Sequence, residues 1–243
     1  MQIHTTTVEL PTPTGPMRVA VYQPKTAKPC PAVLLYSEIF QITAPIARMA
    51  AMLAGQGLLV LVPEVFHELN PAGTVLAYDD AGKDKGNQDK WTKPLGQYDS
   101  DNRSMIEYLA TQPLWNGKLG AMGVCIGGHL ALRAALQSEV QAALCLYPTD
   151  LHSDTLPAGA AGQTLARVGE TKAHLVFVFG RQDPHVPEAG RRQIQQQLQQ
   201  AAVSFDWHEV NAEHAFMRDE GERYDPALAL WVYQRARELF LQM

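Results

Sequence analysis

The stretch Gly123-Val124-Cys125-Ile126-Gly127-Gly128 constrains this chain more than any other. It joins an apolar run at residues 119–124, which reads as a buried strand, to an alanine-rich stretch at 130–136 with helical spacing. A strand that turns directly into a helix forces the corner residue into a strained backbone conformation, and small neighbours are needed for the turn to close. Gly123 and Gly127 supply that room, so the motif reads as a nucleophile elbow whose usual serine has become Cys125. A helix starting at Ile126 aims unpaired backbone N–H groups and the positive end of its dipole at the thiol, and both favour a thiolate. Taken alone, Cys125 is equally well explained as a small buried hydrophobe.

The rest of the chain alternates between strand and helix. Residues 6–10 and 17–23 alternate in polarity around the turn-forming Pro13-Thr14-Gly15-Pro16, which predicts an N-terminal antiparallel hairpin. Continuous apolar runs at 32–36, 58–62, 119–124, 142–147 and 174–179, with a further strand at 205–210, are separated by helical patterns at 46–56, 99–110, 188–200 and 226–239. Strands that are apolar along their whole length are buried on both faces, the mark of parallel pairing. The expected fold is α/β: a mostly parallel, doubly wound sheet with helices on both faces, with ligands at the carboxyl ends of the strands. Residues 65–97 are polar and rich in Asp, Lys and Gly, and periodicity resumes at once after them. They are expected to form a lid or binding excursion from a single domain spanning residues 1–243.

Composition narrows the function classes. A formal net charge of -5 without a basic stripe argues against nucleic acid. Residues 1–9 lack the organisation of a secretory signal and no apolar run approaches the ~18 residues of a membrane span, so a cytoplasmic protein is expected, monomeric or weakly self-associating. Cys30, Cys125 and Cys145 are too few and too irregularly spaced for a disulfide framework or a redox pair. The eight histidines offer no ligand spacing that predicts a metal, and no Gly-x-Gly-x-x-Gly follows the first parallel strand. No cofactor is expected.

An α/β-hydrolase needs an acid after a late strand and a histidine after the last strand, both following the nucleophile in the chain. Asp183 lies in the turn that ends the run at 174–179, and His214 lies in the loop beyond 205–210. His214 would take the thiol proton, and Asp183 would hold its tautomer. The turn Ser37-Glu38-Ile39-Phe40 occupies the position that supplies one oxyanion N–H, so the backbones of Ile39 and Ile126 are the expected donors. Phe40, Trp91 and Tyr98 are candidates for an apolar acyl pocket.

Four motifs carry a resemblance: Ser37-Glu38-Ile39-Phe40, the elbow, Gly180-Arg181-Gln182-Asp183 and His214-Ala215-Phe216-Met217-Arg218. Together they resemble the dienelactone hydrolases, or carboxymethylenebutenolidases, over nearly the whole chain. The resemblance implies that Glu38 contacts the resting thiol and helps convert it to thiolate, and that Arg218 binds a substrate carboxylate. Two places differ from the family pattern: the region 88–93 has no arginine, and Ala215 follows the histidine where serine is common. The expected activity is cysteine-dependent ring opening of a small anionic enol-lactone through an acyl-enzyme. A broad carboxylesterase or thioesterase is the alternative, and a binding protein on a hydrolase scaffold a further one.

Overall fold

Strand β3 (Cys30–Tyr36) and strand β4 (Leu59–Pro63) lie parallel at the centre of the sheet, with the intervening helix α1 (Ala44–Gly55) packed across one face. The computed structural model describes residues 1–157 and 163–243. Further along the chain come helices α2 (Asp80–Thr92) and α3 (Leu95–Ala110), strand β5 (Trp115–Val124), helix α4 (Ile126–Ala134) and strand β6 (Val140–Leu146). Strand β7 (His174–Gly180), helix α5 (Glu188–Gln200), strand β8 (Phe205–Val210) and helix α6 (Pro226–Leu241) complete it. At the N-terminus, β1 (Ile3–Thr12) and β2 (Gly15–Pro24) form the antiparallel hairpin, and β2 pairs antiparallel with β4. Among the described residues the sheet has eight strands in the order β1-β2-β4-β3-β5-β6-β7-β8, and β3 to β8 are mutually parallel.

Alternation along the buried strands divides the core. Leu34 and Leu61 face α3, α4 and α5, whereas Val33, Leu35, Val60 and Val62 face α1 and α6. Burying each such side chain contributes on the order of 2 kcal/mol. With parallel strands, the carboxyl ends of β3, β5, β6, β7 and β8 open on one edge, and their loops converge there. Among the described residues no helix is long and apolar enough to cross a membrane.

The excursion at 65–97 is more ordered than its composition suggests. It contains α2, a helix without an apolar face that the hydrophobic pattern does not predict. Charge and close approach hold it instead. The Asp79 carboxylate caps the helix by accepting from the Gly82 N–H at 2.8 Å, Lys85 pairs with Asp89, and Asp89 accepts from Asn70 at 2.8 Å. Gly86 seats the helix on the loop after β3, where an added Cβ would lie 2.5 Å from the Ile39 carbonyl oxygen.

That close approach sets the sign of a mutational effect. Helix propensity alone makes Gly→Ala favourable by about 1 kcal/mol. At exposed Gly96 nothing lies within 4 Å of the new methyl, so Gly96→Ala is expected to be neutral or stabilising. Gly86→Ala must displace backbone, and is expected to destabilise by about 2 kcal/mol. Urea denaturation of both variants checks this, and equal effects would refute the seating of α2 on Ile39.

Candidate active site

Cys125 sits between β5 and α4 with φ 59° and ψ -126°, in the region that L residues rarely adopt. Such a conformation costs of order 1–3 kcal/mol and persists only when its surroundings dictate it. Here the Cys125 N–H donates to the Leu146 carbonyl at 3.1 Å, while its own carbonyl accepts from Gly128 N–H at 3.0 Å and Thr149 N–H at 3.3 Å. The elbow is too tight for side chains beside it: a Cβ on Gly123 would fall 1.9 Å from the Gly127 carbonyl oxygen. The thiol is half-buried, with Sγ 3.9 Å from the Thr149 hydroxyl. Thr149, beyond the end of β6, belongs to no motif, and sequence reasoning did not single it out.

Asp183 follows β7 and His214 follows β8, and the two loops meet. His214 Nδ1 lies 2.7 Å from Asp183 Oδ2, and Asp183 Oδ1 accepts from the His185 N–H at 2.8 Å. Both side chains are buried, at 3% and 5% exposure for Asp183 and His214. Burial pushes the His214 imidazolium down, but the Cys125 charge and the hydrogen bond to Asp183 outweigh it and hold the group up at about 10. Burial opposes the Asp183 carboxylate, yet the His214 hydrogen bond and charge keep it below its usual range. The rings of Tyr147 and His185 pack edge-on against His214, with centroids 4.9 and 4.6 Å away.

Cys125 and His214 line a cleft of about 1240 Å³, together with Glu38, Ile39, Phe40 and Arg218. Glu38 is buried. Its carboxylate accepts from the Tyr78 hydroxyl at 3.1 Å and lies 3.6 Å from Arg218 Nε. Arg218 does not pair with its neighbours Asp219 and Glu220, which are engaged by Arg48. Ile126, the first residue of α4, is buried behind the elbow.

Two expected pocket residues lie elsewhere. Trp91 is 46% exposed and does not line the cleft, whereas Asp80, Lys83, Asn87 and Lys90 do. Helical geometry is the reason: positions 80, 83, 87 and 90 share one face, and residue 91 is turned about 100° from Lys90. Tyr98 is buried in the core beneath the Lys93 ammonium, 4.7 Å from its ring centroid. Lys90, in the stretch without arginine, is committed to Asp150 at 2.7 Å, both side chains 10% exposed.

Among the described residues one group, His67, Glu68 and Asp101, brings ligand atoms close enough for a metal. The buried Lys93 ammonium already bridges its two carboxylates, at 2.8 Å from Glu68 and 2.6 Å from Asp101. That cation satisfies the charge a metal would otherwise balance.

The sheet order, the strained elbow and the loops that carry Asp183 and His214 define an α/β-hydrolase fold. Residues 17–243 match the model of the dienelactone hydrolase family, and the chain belongs to that family. It is 40% identical over 224 residues to a Saccharomyces cerevisiae protein provisionally named carboxymethylenebutenolidase, which covers 87% of this chain and 81% of the relative. The carboxymethylenebutenolidase of Pseudomonas putida is 27% identical over 209 residues, 85% of this chain and 84% of that protein. In fold, the chain matches a crystal structure from Klebsiella pneumoniae provisionally named dienelactone hydrolase, with a TM-score of 0.88 at 22% identity over 100% of both chains. A dienelactone hydrolase-like promiscuous phosphotriesterase from metagenomic libraries aligns with a TM-score of 0.77 at 18% identity, over 99% and 98% of the two chains. The protein is accordingly a hydrolase with a small-molecule substrate.

Two titrations follow from the site. Cys125→Ala removes the charge that raises His214 while burial still lowers it, so the imidazole pKa is expected to fall from about 10. An NMR titration of the ring in both proteins checks this, and an unchanged value would refute the coupling. His129, whose Nδ1 lies 3.1 Å from the Thr149 carbonyl, is held neutral by burial, down at about 4. Its folded value lies below its unfolded value of about 6.5, so its neutral form is fully accommodated above that pH and stability falls as pH drops towards 4. At about 1.4 kcal/mol per unit the loss is of order 3 kcal/mol. In His129→Asn, whose amide can donate to the same carbonyl, denaturation midpoints between pH 7 and 4 should lose part of that slope.

Proposed function

We propose that the protein is a cysteine hydrolase that opens a small anionic enol-lactone, with Cys125 as nucleophile, His214 as proton carrier and Asp183 as its orienting acid. The observation that carries this reading is the placement of Cys125 on a strained elbow and of Asp183-bonded His214 in one cleft, with the Cys125 charge raising His214. A thiolate beside an imidazolium is the reacting pair such chemistry requires.

The steps balance as follows. The Cys125 thiolate attacks the lactone carbonyl, and the oxyanion is held by the N–H groups of Ile126, at the start of α4, and Ile39, in the loop after β3. Collapse breaks the ring carbon–oxygen bond, and His214 gives its proton to the departing enolate oxygen, which stays tethered to the acyl group. Neutral His214 then takes a proton from water, the hydroxide attacks the acyl carbon, and the thiolate leaves beside the re-formed imidazolium. In this reading Glu38 serves the thiol, Arg218 receives the substrate carboxylate and Phe40 packs on its apolar part. Residues 1–243 act as one catalytic domain, and 65–97 is its binding excursion rather than a linker.

A broad carboxylesterase or thioesterase is the second reading, favoured by the size of the cleft. At about 1240 Å³ it exceeds the roughly 300–1,000 Å³ of sites that hold drug-sized ligands. Steady-state hydrolysis of a dienelactone carboxylate and of p-nitrophenyl acetate, by wild type and Cys125→Ala, separates the readings. Lactone turnover that drops at least 10³-fold in the variant is expected. Thiol-dependent ester turnover without lactone turnover would move the substrate class to the second reading, and turnover that survives Cys125→Ala would overturn the nucleophile.

A further inference from the structure

The guanidinium of Arg218 is only loosely paired. Arg48 forks onto Asp219 at 2.6 and 2.7 Å, and Arg133 forks onto Asp99 at 2.7 and 2.5 Å. Arg218 approaches Glu38 only to 3.6 Å, beyond the roughly 2.7–2.9 Å of a charge-assisted hydrogen bond. Among the described residues no hydrogen bond engages it, so the donors of its fork remain available in the cleft that it lines.

Tyr78 accounts for this arrangement. Its ring lies beneath the guanidinium, 4.3 Å from centroid to Cζ, and Phe40 meets that ring edge-on at 4.7 Å. Its hydroxyl lies 2.7 Å from the Thr43 hydroxyl and 3.1 Å from Glu38 Oε2. Burial and the Glu38 charge push the phenol above its ordinary value, so it stays protonated and donates to the carboxylate. One side chain therefore touches both charges: the cation through the ring face, the anion through the hydroxyl. Tyr78 comes from the stretch before α2, whereas Glu38 and Arg218 come from the loops after β3 and β8.

We propose that Tyr78 is a positioning residue for an anionic substrate: its ring holds the Arg218 guanidinium as a shelf and its hydroxyl anchors Glu38, keeping the two charges from closing on each other. A closed Arg218–Glu38 fork would neutralise the site. The open one leaves a cation poised for a ligand carboxylate and a carboxylate held near the thiol loop. This rests on the reading that Arg218 receives the substrate carboxylate.

The test compares a dienelactone carboxylate with its N-methylamide, which keeps the lactone and removes the charge. In Tyr78→Leu the ratio of kcat/KM for acid over amide is expected to fall about tenfold, the scale of a desolvated cation–π contact. Tyr78→Phe keeps the shelf and should restore most of that ratio, while kcat falls for both substrates because Glu38 has lost its anchor. Equal losses for acid and amide in Tyr78→Leu, or a Tyr78→Phe variant no more selective than Tyr78→Leu, would overturn the proposal. Binding of the dienelactone carboxylate to Cys125→Ala, with and without Tyr78→Leu, measures the same contact without turnover. A tenfold weakening there supports the shelf even if the thiol mechanism fails, and unchanged affinity overturns the shelf even if that mechanism stands.

Discussion

The backbone of Cys125 is the constraint around which the site is built. A residue at φ 59° and ψ -126° has left its favourable basin, and three hydrogen bonds to its peptide groups hold it there. All three partners depend on parallel pairing of β5 with β6: Leu146 ends β6, Thr149 follows it, and Gly128 lies in the helix that packs on both strands. The loop after β6 is itself pinned from beneath, since His129 of α4 bonds the Thr149 carbonyl and the Tyr147 N–H reaches Val178 on β7. The strain at the thiol is thus supported by three strands and one helix, which is why the elbow tolerates so little bulk at Gly123.

Electrostatics then act on a fixed geometry. His214 loses solvation on burial and is held up by the neighbouring Cys125 sulfur and by its hydrogen bond to Asp183. The second Asp183 oxygen is occupied by the His185 N–H, so the carboxylate is held in one orientation towards the imidazole. In the same cleft, Glu38 and Arg218 are held in partial contact rather than full pairing. A fully formed fork uses the donors that a ligand carboxylate would need, whereas a partly formed pair leaves them available.

Legibility in the sequence followed the physics of each part. The parallel core was readable because strands buried on both faces are apolar throughout, and the patterns at 188–200 and 205–210 coincide with α5 and β8. The elbow was readable because tight backbone packing excludes all but glycine. Helix α2 was not, because its stability comes from a cap, charge pairs and a glycine contact with Ile39, none of which produces hydrophobic periodicity. Missing that helix misplaced Trp91, whose direction is fixed only once Lys83, Asn87 and Lys90 are known to share a helical face. Tyr78 and Thr149 left no signal because their roles depend on contacts with residues far away in the chain.

The residues at the strand ends and the residues of α2 that line the cleft therefore rest on different physical supports. Cys125 and Asp183 stand at the ends of buried parallel strands, where hydrophobic packing is insensitive to ionic strength, and His214 follows the partly buried edge strand β8. The part of the cleft wall formed by α2 is tied to the rest of the fold by the Lys90–Asp150 pair, by the hydrogen bond from Asn70 to Asp89 and by the seating of Gly86 on Ile39. Exposed pairs are screened by salt, while a pair such as Lys90–Asp150, with each side chain 10% exposed, is screened much less. The end of α2 beside the loop that carries Thr149 is held by a buried pair, whereas at its start Lys83 pairs with exposed Asp80. The positions of Lys83 and Asn87 in the cleft wall are therefore set by α2 and its contacts, while the geometry around Cys125 is set by the strand ends and α4.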